Sequence, residues 1–235
     1  MFKGLFIADL HASRKRLDGC IKVLDTIYMK LKSYKKEERP YFFIAGDFWD
    51  ATITNTDTMA LFVSYMKDIR DLTEVFIIYG TATHDVPCSL DVFEAIGCHI
   101  YKMNTFERFD NFELVAIPEP RKTNYISKTK KNKSVVDIIN EDLQLFVSTL
   151  PEKQLPRICL YHGEIRGCML NSAKPCSSPV AVSKDYLKSI NADFIACGHI
   201  HQKQELFENC WYLGTPYQNS FAETHEPSYF IVEIN

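Results

Sequence analysis

Five short stretches of this sequence carry side chains that bind metals or move protons. They are Asp9 and His11 in "ADLH", Asp47 in "AGD", His84 and Asp85 in "GTATHD", His162 in "YHG", and His199 and His201 in "CGHIH". Carboxylates and imidazoles are the side chains that hold divalent cations, and imidazole also exchanges protons near neutral pH. Asp9 and His11 are two residues apart, as are His199 and His201, and in an extended segment such a pair leaves on the same side. Gly46, Gly80, Gly163 and Gly198 each lie beside one of these residues, where backbone must approach closely or take a positive φ. A lone Asp or His at a strand end is ordinarily a cap or a satisfied polar group. Several together are costly to bury unless a cation compensates. A set with three or more His and two Asp suits Mn²⁺, Fe²⁺ or Zn²⁺ better than Mg²⁺ or Ca²⁺. The remaining histidines, His99 and His225, do not share this setting.

The elements that would position these groups follow from the apolar pattern. Residues 3–9 form an apolar run, and residues 16–33 repeat apolar positions (Leu17, Ile21, Leu24, Ile27, Tyr28, Leu31) at helical period. "PYFFIAGD" reads as a second buried strand, residues 57–70 as a helix, and "EVFIIYG" as a third strand. This βαβαβ order predicts parallel strands covered by helices, with their C-terminal ends at one sheet edge, where α/β folds bind ligands. Further on, "FERFDNFELVAIPEP" holds two short alternating runs read as antiparallel strands, and residues 134–149 read as a helix. "RICLYHG" and "ADFIACGH" are again buried strands, with a helix near 183–190 between them. "KQELFENCWYLGTP" and "SYFIVEIN" read as closing antiparallel strands.

At 235 residues, 46% hydrophobic and 24% charged, the chain has the profile of a globular domain with a sizeable core. It is read as one domain over 1–235, without a capping domain. The longest apolar runs are too short to cross a bilayer, and the N-terminus has no signal-peptide pattern, so a cytoplasmic location without membrane association is expected. None of the eight cysteines is paired as C-x-x-C, which favours reduced thiols over a disulfide framework. A net charge of −3 supplies no general pull toward nucleic acid. The one basic tract is 121–133, "RKTNYISKTKKNK", with six Lys/Arg and no acid. It is a solvated loop on composition alone, or a phosphate-contacting one, with Arg121 and Lys122 as its candidate substrate contacts.

The ordered set D-x-H, G-D, G-…-H-D, H-G and G-H-x-H, spanning residues 9–201, resembles the calcineurin-like metallophosphoesterase superfamily. Within it, "GDFWD", "AIPEP" and "YLGTPYQNSF" resemble the SbcD-type DNA double-strand-break repair nucleases of bacteria and their phage relatives. The resemblance implies an α/β fold, a four-layer α/β/β/α sandwich with mixed sheets. It implies two divalent metal ions, Mn²⁺ ahead of Fe²⁺ or Zn²⁺. Asp9, His11, Asp47 and His201 would hold the first, and Asp47 would bridge to the second, held also by His162 and His199. A hydroxide between the metals would attack phosphorus in line. His84 would hydrogen-bond the scissile phosphate or protonate the leaving oxygen, and Asp85 would orient His84 or cap the next segment.

The chain departs from the family pattern in two places. Where the superfamily has G-N-H-D/E, with the Asn on the second metal, two extra residues separate Gly80 from His84. The ligand position falls to Thr83, with Thr81 or a held water as the alternatives. SbcD-type chains also continue into a DNA-capping region and a tail that grips the SMC-like ATPase SbcC, whereas this sequence stops at Asn235. DNA is the expected partner, an SbcC-type ATPase a further one, and a homodimer is admitted. The leading expectation is a DNA exonuclease or endonuclease. The alternatives are a phosphodiesterase or phosphatase acting on small molecules or phosphoprotein, and a non-catalytic scaffold of the same fold.

Overall fold

The computed structural model describes residues 1–51, 55–120, 134–170, 175–178, 180–218 and 226–235. Two mixed sheets stack face to face, each covered on its outer side by helices, the α/β/β/α sandwich implied by the motifs. Strands β1 (Phe2–Ile7), β2 (Tyr41–Ile44), β3 (Val75–Ile78) and β4 (His99–Tyr101) run parallel, and β11 (Phe230–Ile234) closes that sheet antiparallel to β1. The second sheet has the order β5-β6-β7-β8-β10-β9. Here β6 (Glu113–Ile117), β7 (Arg157–His162), β8 (Phe194–Gly198) and β10 (Cys210–Tyr212) are parallel, with β5 (Thr105–Arg108) and β9 (Gln204–Phe207) antiparallel at the edges.

Strand alternation explains the layering. In β1, Phe2 and Phe6 enter the core between the sheets, while Leu5 and Ile7 face the outer helices. The same division holds in β7, where Ile158 and Leu160 point inward and Cys159 and Tyr161 outward. Phe6, Phe43 and Phe76 stack in a row across β1, β2 and β3, with centroids 4.6 and 4.9 Å apart. Each such side chain contributes about 1.5–3 kcal/mol by burial, so the inter-sheet layer rigidly sets the edges from which the site is built. Helices α1 (Leu17–Lys32), α2 (Thr56–Arg70) and α3 (Asp91–Glu94) cover the first sheet, and α4 (Val135–Ser148) and α5 (Lys184–Ser189) the second. Their starts are capped as the sequence allows: Asn55 accepts from Thr58 N–H, and Ser134 and Asp137 form a capping box.

The closing strands differ in part from expectation. β9 and β10 form an antiparallel pair, but β10 then runs parallel to β8, because the residues after Gly198 cross over and re-enter from the same end. All eight cysteines are free thiols, and only Cys88 is exposed. No helix among the described residues is long and apolar enough to cross a membrane. The basic tract 121–133, with Arg121 and Lys122, lies outside the described residues.

Candidate metal centre

The D-x-H loop after β1 is laced to the loop after β2. Asp9 N–H donates to Gly46 O (3.0 Å), His11 N–H to Asp47 O (3.0 Å) and Ala12 N–H to Phe48 O (2.7 Å). These loops are not extended, as the two-residue spacing suggested. Asp9, His11 and Asp47 take φ of 54°, 47° and 50°, and His199 takes 93°. Left-handed backbone costs non-glycine residues about 1–2 kcal/mol each, and such strain gathers where function holds it in place. The turns aim the side chains inward just beyond the strand ends. Two glycines let the edges close. A Cβ on Gly80 would lie 2.2 Å from Asp47 N, and one on Gly198 would lie 2.1 Å from Ala45 O, so no other residue fits without parting these loops.

Asp9, His11 and His201 form one group, their ligand atoms all within 4.8 Å of one another. The Nε2 atoms of His11 and His201 are 2.9 Å apart. Asp9 Oδ1 accepts the His199 N–H at 2.8 Å. Asp9 Oδ2 and His11 Nδ1 are buried with no hydrogen-bond partner. Asp47, His162 and His199 form a second group of the same compactness. His162 Nδ1–H donates to Ala45 O at 2.8 Å, which turns Nε2 toward Asp47 Oδ1, 3.4 Å away.

Thr81, rather than Thr83, takes the position beside this second group. Its Oγ1 lies 3.1 Å from Asp47 Oδ2, 3.3 Å from His162 Nε2 and 3.2 Å from His199 Nδ1. Thr83 is exposed, in the turn that follows, and lines a cleft of about 420 Å³ with Glu119, Tyr161, Glu164 and His199. The physical reason is the turn itself. His84 N–H and Asp85 N–H both return to Thr81 O, so the two extra residues bulge outward and leave the first residue after Gly80 facing the ligands.

His84 packs edge-on against His11, with ring centroids 4.6 Å apart. Its Nδ1–H donates to the backbone carbonyl of Asp50, which leaves Nε2 for other partners. Asp85, expected beside it as a catalytic group, is fully buried. Its carboxylate accepts N–H bonds from Trp49 (3.0 Å), Gly80 (2.9 Å) and Phe48 (3.4 Å). It therefore clasps the β2 and β3 loops together. Asp50 was not singled out from the sequence, yet its ligand atom lies within 4.8 Å of those of His11 and His84. The signal was its place as the last residue of "GDFWD", three after Asp47.

The family model for calcineurin-like phosphoesterases matches residues 2–203, the span that holds every group just described. The chain belongs to this family. No curated protein matches the sequence. Among solved structures, this phosphoesterase is similar to a dimetal phosphatase from Danio rerio, at 12% identity and a TM-score of 0.53 over 89% of this chain and 85% of that one. It is also similar to GAP50, the anchor in the inner membrane complex of Plasmodium, at 14% identity and a TM-score of 0.50 over 91% and 71%. The Pseudomonas putida nuclease MPE matches at 16% identity and a TM-score of 0.35 over 72% and 65%. At such identities the likeness to the first two is one of fold.

The residues of the phosphoesterase fit the divalent cations its family binds. The first group offers a buried carboxylate oxygen, Asp9 Oδ2, with no hydrogen-bond partner, and leaving it orphaned is costly without a cation. Burial pushes the Asp9 carboxyl up to about 6 and pulls the His11 and His199 imidazoles down to about 3 and about 4, so both rings are in the neutral, ligating form. The second group behaves otherwise. Burial opposes both charges, but the Asp47 carboxylate raises His162 to about 10, and His162 holds Asp47 well below the usual carboxylate range. A cation held there by Asp47, His162 and His199 would need His162 without its proton.

Proposed function

We propose that this phosphoesterase hydrolyses phosphodiester bonds in DNA, as the SbcD-type nucleases that its motifs resemble do. The hydrolytic part rests on one observation: two compact carboxylate–imidazole groups share one edge of the sandwich, with His84 packed against the first. The preference for DNA is supported by "GDFWD" and "AIPEP", and by the continuity of Pro120, which lines the cleft, with the basic tract 121–133.

Asp9, His11 and His201 would hold one divalent ion and Asp47, His162 and His199 the other, with Asp47 as the shared carboxylate and Mn²⁺ as the ion of choice. When bound, such ions neutralise phosphoryl charge and activate water for in-line attack. Thr81 Oγ1 occupies the place of the family's Asn and orders the second group by its contacts with Asp47, His162 and His199. His84, with Nδ1–H held by the Asp50 carbonyl, presents Nε2 to hydrogen-bond a non-bridging oxygen or to give a proton to the leaving oxygen. Arg121 and Lys122 would contact the flanking phosphates. A single domain, a cytoplasmic setting and an SbcC-type ATPase partner belong to the same reading.

The test is cleavage of linear single- and double-stranded DNA and of a chromogenic phosphodiester, in Mn²⁺, Mg²⁺ and EDTA, beside metal analysis. The expected result is Mn²⁺-dependent DNA cleavage, abolished by EDTA. His84→Ala should keep its bound metal and lose about 10²–10⁴-fold in turnover. Turnover of the chromogenic diester with intact DNA would replace the nuclease reading with a small-molecule phosphodiesterase. A protein without bound metal or either activity would be a scaffold.

A further inference from the structure

The stretch "YLGTPYQNSF" supplies no metal ligand, yet residues 213–217 within it run between the two loops that form the first ligand group. Leu213 N–H donates to Cys197 O at 3.0 Å, and Thr215 N–H to His201 O at 3.2 Å. Gly214 permits the second contact: its φ is 73°, and a Cβ there would lie 2.8 Å from His201 O. Two residues beyond Thr215, the ring of Tyr217 rests on α1 at Gly19, where a Cβ would come within 2.9 Å of it. The Tyr217 hydroxyl donates to Leu10 O at 2.9 Å and accepts from the Cys20 thiol at 3.4 Å. Leu10 is fully buried between Asp9 and His11, both at positive φ. Its carbonyl belongs to the peptide unit that leads into His11. Holding that carbonyl therefore fixes the plane from which the left-handed turn of His11 begins.

We propose that Tyr217 is a positioning residue of the first ligand group, in a strap over residues 213–217 that sets His201 in register with Asp9 and His11. One end of the strap holds the His201 main chain through Thr215 N–H, and the other holds the Leu10–His11 peptide through the Tyr217 hydroxyl. Left-handed turns at non-glycine residues persist only where their surroundings hold them, and this hydroxyl is one such restraint. Without it the Leu10 carbonyl keeps the Cys20 thiol, at 3.5 Å, as a weak donor. The peptide is then free to turn and to carry His11 Nε2 from its place 2.9 Å from His201 Nε2. The hydroxyl acts on the first group, because its partners are Leu10 and Cys20. The inference rests on the metal-centre reading above.

The experiment strips the full chain with chelator and titrates it with Mn²⁺. It follows bound metal, turnover of bis(p-nitrophenyl) phosphate at each Mn²⁺ concentration, and melting of the chelated protein. Tyr217→Phe deletes the hydroxyl and keeps the ring. It should weaken the binding of one Mn²⁺ by about 10-fold, the low end for groups around a ligand set, and leave the other within about twofold. Turnover should return to the wild-type level at saturating Mn²⁺. Turnover lowered at every Mn²⁺ concentration, together with a lower melting temperature, would mean a merely structural role and overturns the inference. Gly19→Ala adds a helix-favouring methyl that meets the Tyr217 ring. It should weaken the same Mn²⁺ and add nothing in the Tyr217→Phe background, and it carries the test if Tyr217→Phe does not fold. Asp9→Asn disables the first group, and in that background Tyr217→Phe should leave the remaining Mn²⁺ affinity within about twofold. Wild-type affinity for both ions in Tyr217→Phe overturns the inference, as does an effect that persists beside Asp9→Asn. A wild-type chain that binds no Mn²⁺ overturns the metal reading, and this inference with it.

Discussion

Asp9, His11 and His201 leave Asp9 Oδ2 and His11 Nδ1 buried without hydrogen-bond partners, whereas Asp47, His162 and His199 satisfy one another and Thr81. The residue types are nearly the same, and the difference lies in where a proton can sit. In the second group the Asp47 carboxylate keeps His162 protonated, so the group neutralises itself. In the first, burial keeps His11 neutral and raises Asp9 to about 6. Two sites of one centre thus approach a metal differently. One supplies an unmet electrostatic need, and the other must give up a proton.

The largest break in this comparison comes from Asp47→Ala. It removes the carboxylate that sustains the second group and strands His162, and hydrolysis should fall by about 10³-fold or more. Metal analysis should show loss at the second group, and Mn²⁺-dependent activity retained in that variant would contradict the assignment.

Next is pH. His162, raised from 6.5 to about 10, stabilises the metal-free fold fully below 6.5, and this contribution is lost as pH rises toward 10. Asp9 is raised from 3.8 to about 6, so its contribution is present below 3.8 and lost as pH climbs through 6. Melting curves of chelated protein should fall as pH rises through the upper window, whereas in the lower one Asp9 is opposed by His11 and His199, whose lowered values favour the fold as pH rises. His162→Gln should flatten only the upper one, and Mn²⁺ binding at the second group should tighten as pH rises.

A smaller effect separates the two threonines. Thr81→Ala removes the hydroxyl that touches three members of the second group and should cost about 10-fold in metal affinity, the low end of loss for groups around a ligand set. Thr83→Ala, in the exposed turn, should stay within about twofold. Equal losses would mean that the turn rearranges. The mildest functional change is expected for Asp85→Asn. It weakens the clasp on three backbone N–H groups and should lower stability by about 1–3 kcal/mol in thermal melts, with kcat little altered in the folded fraction.

The apolar runs made most of the fold legible, because a strand buried on both faces needs continuous apolar sequence and its helices need a 3.6-residue repeat. The five motifs likewise named the Asp and His residues that the fold gathers. What they did not reveal was Thr81 against Thr83: that choice depends on the i→i+4 return of the Asp85 N–H to Thr81 O, which no residue type announces. Asp85 read as a possible partner of His84 because the two are adjacent, yet the chain turns its carboxylate back toward Phe48, Trp49 and Gly80. Leu10 and Tyr217 are 207 positions apart, so their hydrogen bond has no local signature at all.

By itself the sequence determined the chemistry on offer: which carboxylates and imidazoles terminate which strands, and that glycines stand where loops must close. Those are properties of residue type and local period. Only the tertiary structure decided how the ligands divide into two groups, which hydroxyl joins them, and which buried atoms are left without partners. These outcomes depend on left-handed turns at Asp9, His11, Asp47 and His199, which cost energy locally and persist only because two packed sheets hold the loops against one another.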